Sequence, residues 1–146
     1  MTYLLLKVVH LSAAAFFIGG VFFEVMILSR AARQLPAEPR EVLSKALGQR
    51  ARQVMPWVIL ALYGAGVALA WNFRAALADP FASSFATLLT LKISLALSIL
   101  GHFLAVVWLM RTGRNTPARS RFIHLSVLTQ MLLIIFLAKA MVLLTW

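Results

Sequence analysis

The sequence predicts an all-α integral membrane protein, a four-helix bundle with both termini outside, and three observations lead there. Hydrophobic residues make up 62% of the 146 and charged residues 12%, with a mean hydropathy of +0.92, whereas about a quarter of an ordinary soluble domain is charged. Four apolar stretches, at about 3–28, 55–73, 85–110 and 122–146, each reach the roughly 20 helical residues that a hydrocarbon core of ~30 Å requires. The net charge of +10 is unevenly placed. Arg30, Arg33, Arg40, Lys45, Arg50 and Arg52 follow the first span and Arg111, Arg114, Arg119 and Arg121 follow the third, while the middle connection holds only Arg74, near Asp79. The positive-inside bias then makes 29–54 and 111–121 cytoplasmic loops.

The same placement argues against nucleic acid as a partner and for loop arginines touching anionic lipid headgroups. One domain, 1–146, leaves no length for a separate soluble catalytic unit. With no cysteine in the chain, disulfides, thiolate metal sites and cysteine nucleophiles are excluded.

Taken in order, the first span reads as a retained helix and not a signal peptide: no basic leader precedes its apolar run, and the basic cluster follows it. In the first loop, Pro36 and Pro39 lead into 41–53, where Val42, Leu43, Ala46 and Leu47 recur at helical spacing, a short surface helix with Gly48 as its weak point. Pro56 suits the first turn of the second span, where a missing N–H matters little. Gly113, Asn115 and Pro117 give the third loop a turn composition. Trp57 and Trp108 fall near the inner interface and Tyr3, Trp71 and Trp146 near the outer one, as interfacial belts require.

Ionisable residues inside the spans are the functional signal, since each costs at least a few kcal/mol and is usually turned inward and partnered. At about 1.5 Å per helical residue, His10, Lys92 and Lys139 share an outer layer, whereas His102, His124 and Glu24 form an inner one. Helical spacing puts Lys7, His10, Ala14, Phe17 and Glu24 on one stripe of the first span. Lys92, Ile99, His102, Phe103 and Val106 share a second stripe, and His124, Leu128, Ile135 and Lys139 a third. All three are expected to face the bundle interior. Imidazole is a common axial ligand of haem iron, and bundles hold cofactors between facing helices. Gly19, Gly20, Gly64, Gly66 and Gly101 either make room for a flat macrocycle or let helices pack closely.

His10, nine residues and then Gly20, followed by Phe22–Phe23, resembles the first helix of the HemJ and CopD-like membrane proteins. So does 90-TLKISLALSILGH-102, with Lys92 ten residues before His102, and Lys139 has a counterpart near the end of the last helix. The resemblance covers all four helices. It implies haem b, held by His10 with Lys92 as the matching partner, in a protein that oxidises porphyrinogen or transfers electrons in the membrane. Lys7 or Arg74 would pair with propionates. His102 and His124 would serve a second, inner haem or, with Glu24, a proton path; solvation near the headgroups is the plain alternative for His124. Glu24, Val25 and Met26 stand where HemJ proteins carry a proline and an arginine, and 121-RFIHLSVL-128 stands in place of their Asn-Glu-x-Pro turn. Both redox roles therefore stay open.

A quinone or porphyrinogen substrate, a redox partner protein and a homodimer built on the small-residue faces complete the expectation, in a bacterial inner membrane. The rival reading is CopD-like copper transport or resistance, for which histidine and Met26, Met55, Met110, Met131 and Met141 are suitable ligand types. A third is a structural subunit whose polar layers only join helices. Paired carboxylates and Ser/His/Asp sets are lacking, so soluble-type catalysis is not expected.

Overall fold

The computed structural model describes residues 1–144, so Trp146 and the end of the fourth expected span lie outside the described residues. No strand occurs among them. The chain divides into two compact units, 1–72 and 73–146. Four helices, Thr2–Gln34, Ala37–Trp71, Ser84–Arg111 and Ala118–Leu143, are long and apolar enough to cross a membrane.

The first unit is an antiparallel helix pair. Helix α1 (Thr2–Phe23) runs on through a π-helical turn at Glu24–Leu28, a short α2 (Ser29–Ala31) and a 3₁₀ turn (Ala32–Gln34) before the chain reverses at Leu35 and Pro36 into α3 (Ala37–Trp71). The first arm has 33 residues and the second 35. At 1.5 Å per residue each is about 50 Å long, well beyond a hydrocarbon core of ~30 Å. The stretch expected to be a loop with a separate surface helix is instead continuous with the spans. The reason lies in the prolines. Pro36 is extended and Pro39 occupies the first turn of α3, with Glu38 beside it, so the helix-start signal is satisfied there and not at Pro56. Pro56 lies inside α3, where it leaves the Arg52 carbonyl without its usual donor but does not end the helix. Nor does Gly48 interrupt it. Phe17 and Val21 of α1 and Ile59 and Ala65 of α3 form the buried seam.

The second unit starts with the short α4 (Arg74–Ala78), followed by a second antiparallel pair, α5 (Ser84–Arg111) and α6 (Pro117–Leu143). Phe73 packs on Phe85 with ring centroids 5.3 Å apart. Ser83 caps α5 by accepting from the Ala86 N–H at 3.2 Å, and Thr116 caps α6 by accepting from Arg119 N–H at 3.3 Å. Between them α5 ends in a Schellman turn: Gly113 takes φ +66, while the Arg114 N–H donates to the Leu109 carbonyl and Gly113 N–H to Met110. Glycine is favoured at that position because a Cβ there is strained. Met131, Leu128, Val127 and Ile99 are buried between the pair, and the hydroxyl of buried Ser84 donates to the Leu144 carbonyl at 3.0 Å. Large apolar side chains elsewhere are exposed, among them Leu60, Val67, Leu97, Phe136 and the tryptophans Trp57 and Trp71.

Candidate functional site

The best-defined polar arrangement in the first unit is built on His10. Its ring crosses from α1 to α3, where Nδ1 lies 2.9 Å from the Leu62 carbonyl oxygen. A carbonyl only accepts, so the proton sits on Nδ1 and donates, which in the uncharged form of the ring leaves the lone pair on Nε2. That is the tautomer of a metal-ligating histidine, whose second nitrogen is generally tied to a carbonyl or carboxylate. The approach depends on Gly66, one turn after Leu62. A Cβ at Gly66 would stand 3.2 Å from Cε1 and 3.3 Å from Nδ1 of His10, whereas a Cβ at Gly64 would meet nothing within 4 Å.

Only the middle of the expected stripe on α1 faces α3. Phe17 is buried and His10 and Ala14 are half-buried, but Lys7 and Glu24 at its two ends are exposed. Lys7 lies over the Tyr3 ring, 4.5 Å from its centroid, an i, i+4 cation–π contact on the surface of α1. Glu24 begins the π-helical turn, and the buried side there passes through Val21 and half-buried Val25 instead.

In the second unit Lys92 is half-buried on α5, as its stripe predicts. The α6 stripe fails in part. His124 is half-buried and Leu128 buried, but Ile135 and Lys139 are exposed, because the buried face changes from Val127–Leu128–Met131 to Leu137 and Ala140 along the helix. Lys139 therefore does not face the interior with Lys92. Arg74, on α4, is exposed.

His102 is engaged at both ring nitrogens. Nδ1 lies 2.8 Å from the Ser98 carbonyl, and the Ser126 hydroxyl lies 3.2 Å from Nε2. Gln130 Nε2 donates to the same hydroxyl at 3.1 Å. With Nδ1–H donating, the order runs from Gln130 through Ser126 to His102 and on to Ser98. His102 thus joins α5 to α6 as a polar clamp, and to ligate a metal it would have to release Ser126. The stripe pattern does not single out Ser126 and Gln130. Their signal was an i, i+4 polar pair inside an apolar span.

Among the described residues no group of three His, Asp or Glu is placed to hold a metal ion. No protein-family model, curated protein or solved structure matches the chain.

Proposed function

We propose that the protein is an integral membrane haem b protein of HemJ/CopD-like kind, acting in porphyrinogen oxidation or membrane electron transfer. The observation that carries this reading is the hydrogen bond from His10 to the Leu62 carbonyl, which frees Nε2 for iron and orients the ring beside Gly66. The donor chemistry of His10 thus fits haem. Haem iron exchanges single electrons between its ferric and ferrous states. In this reading His10 and Lys92 would hold the group, with Lys7 or Arg74 pairing with the propionates. Glu24 and His124 would move protons, while His102, already satisfied by Ser98 and Ser126, keeps α5 and α6 together. Lys139, like Lys7, Glu24 and Arg74, is exposed.

The protein would be a four-helix membrane bundle with both termini outside, in a bacterial inner membrane, taking a quinone or porphyrinogen and a redox partner, as a homodimer. Copper handling ranks second, since it rests on residue types alone.

The deciding experiment is an absorption spectrum of the detergent-purified protein, oxidised and dithionite-reduced, beside His10→Ala. The expected result is a Soret band with sharp reduced bands in the wild type, lost in the variant. A colourless wild type after expression with ample haem overturns the reading.

A further inference from the structure

Two shallow concavities meet where α5 gives way to α6. One, of about 580 Å³, is lined by Trp108, Leu109, Gly113, Arg114, Thr116 and Arg119. The other, of about 450 Å³, shares Leu109 and Arg119 and continues along α6 over Ala118, Phe122 and Ile123. The first is basic and the second apolar. No acidic residue lines either.

The guanidinium groups are held in place. Arg114 lies over Trp108, with Cζ 5.9 Å from the ring centroid, within reach of a cation–π contact. Arg119 donates from Nη1 to the Arg114 backbone carbonyl at 3.0 Å, which ties its side chain to the turn that carries Arg114. Arginine forks suit phosphate oxygens, and here two arginines line one recess. Beside them Trp108 and Phe122 are exposed apolar surfaces, at 53% and 71%, on helices long and apolar enough to span a bilayer. A tryptophan at such an edge marks the headgroup level.

From this arrangement we infer that the α5–α6 turn is a binding site for one anionic diacyl phospholipid. Its phosphate lies between Arg114 and Arg119, and an acyl chain lies along Leu109, Ala118, Phe122 and Ile123. Free phosphate would engage only the basic recess, and a zwitterionic lipid would bring its own cation next to two guanidiniums. The continuity of a basic recess with an apolar groove selects a ligand having both a negative head and a hydrocarbon tail. The inference is independent of haem.

Native mass spectrometry in a neutral detergent tests it, with phosphatidylglycerol, phosphatidylcholine or inorganic phosphate added to the full chain. The wild type should retain one phosphatidylglycerol in preference to phosphatidylcholine, and phosphate should not compete at equal concentration. Arg114→Gln and Arg119→Gln should each weaken retention about fivefold. Ala118→Trp, which fills the apolar groove but keeps both arginines, should weaken it as well, while Arg40→Gln on the first unit should leave it unchanged. Equal retention of the two lipids by the wild type overturns the inference, as does displacement by phosphate alone, or undiminished binding in whichever of the three site variants fold.

Discussion

At the level of single residues, the contact between His10 and α3 turns on one missing methyl group. Gly64 and Gly66 sit in the same apolar span, yet only Gly66 lies under the imidazole. Gly64→Ala should therefore stabilise the helix by up to about 1 kcal/mol, whereas Gly66→Val should destabilise by roughly 1–3 kcal/mol through overpacking and displace the His10 ring. Unfolding of the detergent-solubilised protein in SDS separates the two. Under the haem reading, Gly66→Val should also broaden or shift the Soret band and Gly64→Ala should not. The clamp in the second unit gives another contrast. Ser126→Ala removes the donor to His102 Nε2 and the acceptor of Gln130 at one stroke. Its expected cost is about 0.6 kcal/mol, the mean for interhelical hydrogen bonds in membranes, and at most about 1.7 kcal/mol. In the same SDS assay an unchanged midpoint would show that the clamp contributes nothing.

Helix ends govern the next scale. The turn between α5 and α6 combines a left-handed Gly113, two Schellman bonds and a Thr116 cap ahead of Pro117. Gly113→Ala should cost on the order of 1–2 kcal/mol, the penalty for placing a Cβ in the left-handed region. Thermal denaturation should fall accordingly while helical circular dichroism at low temperature stays the same. Turn composition at 113–117 was legible because glycine and proline act locally. Helix α3 was less so. The apolar run suggested a start at Pro56, but Pro36, Glu38 and Pro39 already supply a start signal, and neither Gly48 nor Pro56 ends the helix. Proline inside a helix removes one hydrogen bond without necessarily breaking it.

For the whole molecule, the arginine asymmetry gives an orientation that can be measured. The chain has no cysteine of its own, so single cysteines report cleanly. With both termini outside, Ala82→Cys should react with a membrane-impermeant maleimide in intact cells, and Ser44→Cys should react only after the membrane is opened. The reverse pattern would invert the topology. Each helix pair has its own seam and its own polar contact, His10 with Leu62 in one and His102 with Ser126 in the other.

The sequence by itself determined that the chain is helical, that four segments are long and apolar enough to span a bilayer, and that His10 is an interior ionisable group. Those properties sum along the chain: hydropathy and charge need no knowledge of which helix lies beside which. Only the tertiary structure decided that Gly66 and not Gly64 receives the imidazole, that the Leu62 carbonyl sets its tautomer, that Ser126 meets His102, and that Lys7, Glu24 and Lys139 are exposed. A period of 3.6 places residues on a stripe. In helices apolar on nearly every side, however, the rotation and register of each pair come from packing, and packing alone chooses which stripe is buried.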